Sequence, residues 1–301
     1  MKHCLRLLVA LAATHAVAQT PANVRPLSAP DDRSWTIRWD RSDDFNGDAV
    51  DWRKWVKQPE TFRTWAWDND ANVVVSGGVA TLTARRIDEP QSVGPNQPPT
   101  PYTSAMLKSY AAGTYGYYEA RLKASPVFPG VCPSFWMYST IDDRILPAGE
   151  VRYSEIDVVE LTQRGDRVAG NERIADHNLH AILSNGRPGI PGRDWRRPND
   201  KRYSDAQATE YRLPFDPAAD FHTYGCEVSP EEIVWFVDGA EVGRKPNELW
   251  HRRMNVALSL GLRPPFTKFA DNRMTPVADA PADRLPASMQ VDYVRVWERL
   301  D

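Results

Sequence analysis

Cysteine is scarce in this 301-residue chain, which has three cysteines in all. Cys4 lies near the N-terminus, so Cys132 and Cys226 are the two that fall within the body of the chain. In an oxidising compartment these two residues could form a disulfide, but a sequence does not give their separation in space. The sequence therefore leaves their pairing open.

A hydrophobic run long enough to span a membrane is also missing. The apolar run from Leu5 to Ala13 is too short for a bilayer, and it follows a basic N-terminus. Ala16-Val17-Ala18 then forms a small-x-small cleavage site. We therefore predict a signal peptide over residues 1–18 and a mature domain over 19–301, with no membrane partner. We expect a secreted bacterial protein, either periplasmic or extracellular.

Basic residues are not in excess, since the chain has 37 Lys and Arg against 40 Asp and Glu. Lys2 and Arg6 are lost with the signal peptide, which leaves 35 basic residues against 40 acidic ones, a net charge of −5. A protein that binds phosphate backbones needs a basic surplus. This balance argues against nucleic acid as a partner.

Helical periodicity is nearly absent, whereas short alternating segments recur along the whole chain. Trp35, Ile37 and Trp39 alternate with polar residues, and the dipeptides Gly77-Gly78 and Asp238-Gly239 each separate two such segments, as tight hairpin turns do. Many short strands without helices between them predict two packed antiparallel sheets, as in a sandwich or jelly roll. We find no internal repeat and expect a single all-β domain.

Three long stretches interrupt this pattern and are rich in proline or charge: Asp88 to Thr103, Arg187 to Tyr203, and Leu262 to Ser288. They are too long to be tight turns. Loops of this length in a compact domain are more often binding features or disordered segments than simple connections.

The eleven tryptophans fall into two groups. Most, such as Trp235 and Trp297, lie in alternating segments and are predicted to be core or sheet-face residues. Trp65, Trp67 and Trp195 are flanked by polar residues instead, and an exposed ring that stacks on a ligand is the competing interpretation for each of them.

The segment SEIDVVEL, Ser154 to Leu161, places three carboxylates in an otherwise apolar strand. Glu155 and Asp157 are two residues apart, so a strand turns both side chains to one face. Glu160 would face the opposite way unless a β-bulge at Val158-Val159 adds one residue to the strand. With that bulge, all three carboxylates project from one surface.

Three neighbouring carboxylates repel one another, so such a group needs a function or a bound cation. Glycoside hydrolysis uses two carboxyl groups that flank the scissile bond, about 5–5.5 Å apart in retaining enzymes. A solvated sheet face and a calcium site are the other interpretations. The apolar strand and the nearby aromatic residues favour hydrolysis, with Glu155 and Glu160 as the outer pair and Asp157 holding one of them by hydrogen bonding.

Several motifs surround this acid motif: SDDFNG to DWRKW (Ser42–Trp55), GTYGYYEARLKASP (Gly113–Pro126), PSFWMYS (Pro133–Ser139), FHTYGCEVSPEEIVWFVDG (Phe221–Gly239) and VDYVRVW (Val291–Trp297). Together they resemble the motifs of glycoside hydrolase family 16 over nearly all of the mature chain. The resemblance implies a concanavalin-like β-jelly roll whose concave sheet forms a polysaccharide cleft. It also implies hydrolysis with retention of the anomeric configuration.

Site residues follow from the same resemblance. It implies that Glu155 is the nucleophile, Glu160 the acid/base and Asp157 the assisting carboxylate. Trp136 matches the aromatic floor on which a sugar stacks, and a core tryptophan is the alternative. The resemblance implies no cofactor for catalysis.

Within the family, SEIDVVELTQ, NLHAIL and LSLGLR are most similar to the κ-carrageenase and furcellaran-type branch. This resemblance implies an endo-acting enzyme that cleaves internal β-1,4 linkages of a sulfated red-algal galactan. Arg263 matches an arginine of this branch that binds a galactose sulfate. A planar guanidinium is well suited to bind such an oxyanion. His180 matches a histidine beside the acids, and His177 is the weaker choice. A basic segment with Trp195 and Arg196 is predicted to cover the anionic chain, with an ordinary solvated loop as the alternative.

Other functions remain open at this stage. A furcellaran hydrolase, a β-agarase and a porphyranase are alternatives within the enzyme class, and a carbohydrate-binding lectin is the alternative outside it. The complete acid trio favours an enzyme, and we expect it to act as a monomer.

Metal binding is predicted at one place. A zinc site at His177 and His180 is not predicted, because their spacing suits a helix and no cysteine pair supports it. The family often carries a structural calcium, which here would be bound by Asp292 with the backbone at Asn46 and Gly47.

Overall fold

The structure is a computed structural model that describes residues 24–28, 34–60, 64–94, 97–161, 169–187, 194–198, 200, 202, 208–270 and 273–299. Within these residues the regular secondary structure is almost entirely β-strand, with one short α-helix, α1 (Asn69–Asn72), and three 3₁₀ turns. The strands are β1 (Trp35–Ile37), β2 (Ala66–Trp67), β3 (Val73–Ser76), β4 (Val79–Gln91), β5 (Thr100–Ser104), β6 (Met106–Gly113), β7 (Gly116–Lys123), β8 (Val131–Tyr138), β9 (Val151–Leu161), β10 (Ile174–Leu183), β11 (Asp194–Arg196), β12 (Ala208–Arg212), β13 (His222–Val228), β14 (Glu232–Val237), β15 (Ala240–Pro246), β16 (Met254–Leu262), β17 (Thr267–Ala270), β18 (Arg273–Pro276) and β19 (Ala287–Arg299).

The strands form two large sheets. The ten-stranded sheet has the order β15-β14-β13-β7-β19-β4-β5-β2, with β1 beside β19 and β3 beside β4. The seven-stranded sheet has the order β11-β10-β9-β8-β16-β6, with β12 beside β10. All of the described pairings are antiparallel except the short contact between β2 and β5. The predicted all-β sandwich of two antiparallel sheets is confirmed, and its architecture is that of a jelly roll.

Both predicted hairpin turns are confirmed. Gly77 and Gly78 connect β3 to β4 with φ of 61° and 80°, and Asp238 and Gly239 connect β14 to β15 with φ of 47° and 82°. Positive φ at both central residues is the geometry of the type I′ turn, whose twist matches that of the flanking strands.

The main hydrophobic core lies between the two sheets. Strand β9 contributes Ile156, Val158 and Leu161 to it, and the ten-stranded sheet contributes Trp235 and Val296, all of them fully buried. A second apolar cluster covers the other face of the seven-stranded sheet. The central strands of this sheet are therefore buried on both faces, which explains why β8 is buried along its whole length.

The predicted long loops are more regular than expected. Strand β4 extends to Gln91 and β5 begins at Thr100, so the first loop is shorter than predicted. The second contains β11, and many of its other residues lie outside the described part of the chain. The prediction of a loop over Leu262 to Ser288 is wrong at β17 and β18, which pair with each other as a small separate hairpin.

Cys132 and Cys226 are both buried and unpaired, so they form no disulfide. Cys132 lies on β8 and Cys226 on β13, strands that belong to different sheets. The predicted signal peptide, residues 1–18, lies outside the described residues. Among the residues described, no helix is both long and apolar enough to cross a membrane.

Candidate active site

The predicted bulge in strand β9 is present. Phe135 of β8 lies opposite Val159, and the next residue, Trp136, lies opposite Asp157, so the pairing passes over Val158. Val158 and Val159 are both fully buried in the core, as the extra residue of a bulge allows. The bulge returns the side chains beyond it to the face that the preceding carboxylates occupy.

As a result, Glu155, Asp157 and Glu160 all line one cavity on the face of the seven-stranded sheet that points away from the core. The cavity has a volume of about 290 Å³. Its floor is formed by β8 and β16, through Trp136 and Ser259, and the Trp136 indole nitrogen donates to the Ser259 hydroxyl at 3.0 Å. The odd spacing of the acids is thus an alignment of three carboxylates toward one space.

Asp157 is the most deeply buried of the three acids, with 4% of its side chain exposed. Its backbone carbonyl accepts a hydrogen bond from the indole nitrogen of Trp235 at 3.0 Å, which ties the bulged strand to the opposite sheet. Burial, followed by the charge of Glu160, raises the pKa of Asp157 well above its usual value. Asp157 therefore tends to hold a proton in this environment.

His180 of β10 lies beside the acids, as predicted from the sequence, and it bridges two of them. Its Nε2 atom is 3.4 Å from Glu155 Oε1 and 3.4 Å from Asp157 Oδ2. Burial lowers the pKa of His180, but the charge of Glu155 and the hydrogen bond to Asp157 outweigh it and raise that pKa to about 9. An imidazolium at neutral pH partly compensates the acid cluster.

Glu155 has a second partner that the sequence analysis missed. The hydroxyl group of Tyr153, two residues earlier on β9, donates a hydrogen bond to Glu155 Oε2. Burial, followed by the charge of Glu155, raises the pKa of Tyr153 well above its usual value, so the phenol keeps its proton. Tyr153 and His180 therefore hold the two oxygens of Glu155 from different sides.

Glu160 lies among a different set of donors. Its Oε1 atom accepts from the guanidinium of Arg263 at 2.9 Å, and its Oε2 atom accepts from the side-chain amide of Asn178 at 3.2 Å. Both side chains of the Arg263–Glu160 ion pair are about 15% exposed or less. The structure thus brings Arg263 to the cavity as predicted, but pairs it with an acid of the motif.

Aromatic side chains line much of the cavity. Trp136 and Tyr138 stack with ring centroids 4.5 Å apart and an angle of 17°. Trp65 and Trp67 also line the cavity, in edge-to-face contact at 5.5 Å. An exposed ring was the competing interpretation for Trp65 and Trp67, but these residues are only 5% and 9% exposed. Their rings belong to the cavity wall and not to an open surface.

The hairpin formed by β17 and β18 completes this wall. Met274 of β18 lines the cavity, and its carbonyl accepts a hydrogen bond from the Thr64 hydroxyl at 3.1 Å. A segment read as a loop in the sequence therefore forms one side of the site.

Trp195 and Arg196 of β11 do not line the cavity. Trp195 lies opposite Ile182 and is 37% exposed. The guanidinium of Arg197 lies over its ring, 3.8 Å from the ring centroid. Arg196 lies opposite Ala181, a core residue, and pairs with Asp194 at 3.1 Å. Because neighbours along a strand face opposite sides, the two residues cannot both face the substrate side of the sheet.

His177 is not part of the site either. It is fully buried, and its Nδ1 atom lies 2.6 Å from the carbonyl oxygen of Val158. Burial lowers the pKa of His177 to about 4, so the ring stays neutral. His177 therefore contacts the backbone of the bulged strand. This agrees with the choice of His180 over His177 as the site histidine.

Two groups of residues bear on metal binding. Ligand atoms of Glu155, Asp157 and His180 lie within 4.8 Å of one another. These atoms already contact one another, since His180 Nε2 is 3.4 Å from an oxygen of each carboxylate.

The predicted calcium ligand Asp292 forms a salt bridge with Arg121 at 2.6 Å. Asp44, in the opening motif beside Asn46 and Gly47, is paired with Arg295 at 2.7 Å. A calcium site needs carboxylates that are available to the ion, and these two are held by guanidinium groups. Calcium binding at Asp292, Asn46 and Gly47 would have to compete with these pairs, and it stays a prediction.

Comparison with known proteins agrees with this geometry. A family profile described as "Beta-porphyranase A-D, GH16 domain" matches residues 35–299. A κ-carrageenase of Pseudoalteromonas carrageenovora is 44% identical over 293 residues, which covers 95% of this chain and 70% of that protein.

Solved structures give the same result. The crystal structure of a κ-carrageenase from Zobellia galactanivorans superposes with a TM-score of 0.82 at 44% identity, covering 92% of this chain and 100% of that chain. The κ-carrageenase of P. carrageenovora in complex with an oligotetrasaccharide of κ-carrageenan has a TM-score of 0.82 at 43% identity, with the same coverage. The profile match over most of the chain, together with these identities, shows that the chain belongs to glycoside hydrolase family 16.

Proposed function

We propose that this chain is a secreted, endo-acting hydrolase that cleaves internal β-1,4-galactosidic linkages of a sulfated galactan of the κ-carrageenan type, with retention of configuration. The observation that carries the proposal is the bulged strand β9, which directs Glu155, Asp157 and Glu160 into one aromatic-lined cavity. A binding protein would have no use for this cluster, because it lowers stability by repulsion between like charges.

In the proposed reaction, Glu155 is the nucleophile. Its carboxylate attacks the anomeric carbon while the glycosidic bond breaks, and Glu160 gives its proton to the departing sugar oxygen. A water molecule then attacks the same carbon, Glu160 takes a proton from that water, and the bond to Glu155 breaks. Two displacements at one carbon retain the configuration.

The contacts of the two glutamates suit these different roles. Glu155 is held by Tyr153 and His180, which can stabilise its charge and fix its orientation. Asp157, whose pKa is raised by burial and by Glu160, can keep a proton near the cavity and pass it within the cluster.

Arg263 can link substrate recognition to this chemistry. Its guanidinium occupies Glu160 Oε1 at 2.9 Å, on the acid that the first step uses as proton donor. A sulfate ester could draw the guanidinium away from Glu160 and leave this oxygen to the substrate. We therefore propose that Arg263 pairs with Glu160 in the free enzyme and with a sulfate in the complex.

Carrageenan is proposed as the substrate because the relatives that share 43–44% identity with this chain are κ-carrageenases. A porphyranase is the second candidate, because the matching family profile carries that name. Furcellaran and agarose are the remaining galactans that the cavity could accept.

The decisive experiment is a product analysis on purified κ-carrageenan, furcellaran, porphyran and agarose. We expect new reducing ends and a ladder of even-numbered oligosaccharides from κ-carrageenan, with the β-anomer formed first in NMR spectra. Faster release from porphyran would support the second candidate. The absence of product from all four would contradict the hydrolase and favour a lectin.

A further inference from the structure

A buried lysine lies near the acids, at a position that the reaction does not use. Lys108 of β6 stands among apolar residues of its strand, and 9% of its side chain is exposed. Its ammonium is 2.5 Å from Glu60 Oε1 and 4.7 Å from the ring centroid of Tyr138. Burial of an ammonium is costly unless an anion compensates it. The site therefore requires a negative partner.

The partner Glu60 is much more exposed than Lys108, since 59% of its side chain is exposed. A second hydrogen bond, from the Tyr138 hydroxyl to Glu60 Oε2, is long at 3.3 Å. The Glu60 carboxylate can thus be solvated when it leaves the ammonium, whereas the buried Lys108 cannot follow it and then needs another anion. An incoming anion could take the place of the carboxylate without uncovering the lysine.

The pairing of the strands fixes the position of Lys108 relative to the acids. Lys108 lies opposite Ala257 of β16, which lies opposite Trp136 of β8, which in turn lies opposite Asp157. Three strand spacings of about 4.8 Å place the backbone of Lys108 about 14 Å from that of Asp157. This separation exceeds the length of one sugar ring, so Lys108 would meet a neighbouring sugar of a bound chain.

The floor between the two positions is aromatic. Tyr138 stacks on Trp136, and its backbone lies directly opposite Glu155. Lys108 is thus beside the end of the acid row that contains Glu155, whereas Arg263 contacts Glu160 at the other end. A sugar chain stacked on this floor could present one anionic group to each cation.

We propose that Lys108 is a second anion-binding position of the cleft, which binds a sulfate ester on a sugar away from the cleavage point. Glu60 occupies the position in the absence of substrate and is displaced by the sulfate. Lysine suits this task because its ammonium is a compact point charge that accepts an anion from several directions. The inference rests on the proposed hydrolysis of a sulfated galactan.

The test uses two substitutions with opposite expected effects on KM, Lys108→Met and Glu60→Gln. With κ-carrageenan, we expect Lys108→Met to raise KM about tenfold with little change in kcat, because a charge-assisted contact is lost. We expect Glu60→Gln to lower KM, since the competing carboxylate is gone. With chemically desulfated κ-carrageenan, neither substitution should change KM.

Lys57→Met is the matched control, because Lys57 forms a surface ion pair with Asp70 at 3.0 Å and is 51% exposed. It should leave KM unchanged on both substrates. Thermal unfolding checks that each variant folds, and Glu60→Gln, at an exposed position, still tests the inference if Lys108→Met does not fold.

Equal losses by Lys108→Met on both substrates, or an unchanged or higher KM for Glu60→Gln on κ-carrageenan, would overturn the inference while the proposed function stands. A wild-type chain that releases no product from any sulfated galactan would overturn the proposed function, and this inference with it.

Discussion

The outer faces of the two sheets balance their charges in different ways. On the ten-stranded sheet, exposed or half-buried acids are paired with guanidinium groups, as in Arg121 with Asp292 and Arg295 with Asp44. On the seven-stranded sheet, the three acids of β9 are contacted by one imidazole and one guanidinium among the described residues. The first arrangement is an ordinary protein surface. The second concentrates three carboxyl groups in one cavity, which a chain retains when these groups have a chemical use.

The largest effect is expected at the outer acids of the cluster. Glu155→Gln and Glu160→Gln should each lower kcat on κ-carrageenan by about 10²–10⁴, because the nucleophile or the proton donor is lost. Reducing-end assays measure the loss, and circular dichroism checks the fold. Glu232→Gln is the control, since Glu232 forms a 2.5 Å salt bridge with Arg244 on the ten-stranded sheet. Near-normal rates in either cluster variant would remove that residue from its role.

The next effect concerns His180 and the pH dependence of stability. Its folded-state pKa of about 9 exceeds the ordinary value of 6.5, so its contribution to stability is fully present below about pH 6.5 and is lost as the pH rises through 9. The contribution corresponds to about 3 kcal/mol.

Urea unfolding at pH 6 and at pH 9.5 measures this contribution. We expect His180→Gln to be markedly destabilised at pH 6 and to differ little from the wild type at pH 9.5. His222→Gln, in contact with Asp238 at 2.7 Å on the other sheet, serves as the comparison. A destabilisation of His180→Gln that is the same at both pH values would contradict the charge argument.

A smaller effect is expected at Arg263. Arg263→Met should reduce kcat/KM on κ-carrageenan by about ten- to a hundredfold, the cost of one charge-assisted contact, and should affect desulfated polymer much less. Arg121→Met, at an ion pair of the ten-stranded sheet, is the matched control. If the two substrates lose equally, Arg263 does not recognise sulfate.

The smallest effect is expected at an exposed ion pair of the ten-stranded sheet. Asp292→Asn removes the salt bridge to Arg121, whose side chain is 39% exposed, and should change the free energy of unfolding by less than about 1 kcal/mol without changing activity. Thermal unfolding with and without a chelator checks this. A large loss of stability in the variant, reproduced in the wild type by the chelator, would instead support the predicted calcium site.

Much of the site could be predicted because it lies within one strand. The spacing of Glu155, Asp157 and Glu160 requires a bulge if all three share a face, and the bulge is present at Val158. The same period-2 reasoning could have found Tyr153, two residues before Glu155. It could also have found Asn178, two residues before His180, since both contact the acids.

Other parts of the site have no signal in the sequence. Trp195 and Arg196 were predicted together because they are neighbours in a basic segment, yet adjacent residues of a strand face opposite sides. The partners Glu60 and Lys108 are 48 residues apart, and no sequence pattern around either residue predicts their contact.

The sequence alone determined the β-sandwich, its type I′ hairpins and the common face of the three acids, because each depends on backbone geometry within a few residues. Only the tertiary structure decided that Arg263, 103 residues from Glu160, contacts that acid, and that a hairpin after β16 forms a wall of the cavity. Such contacts depend on which strands become neighbours and how closely the sheets pack. The choice of neighbouring strands depends on the burial of apolar surface over the whole chain, and no local sequence pattern predicts it.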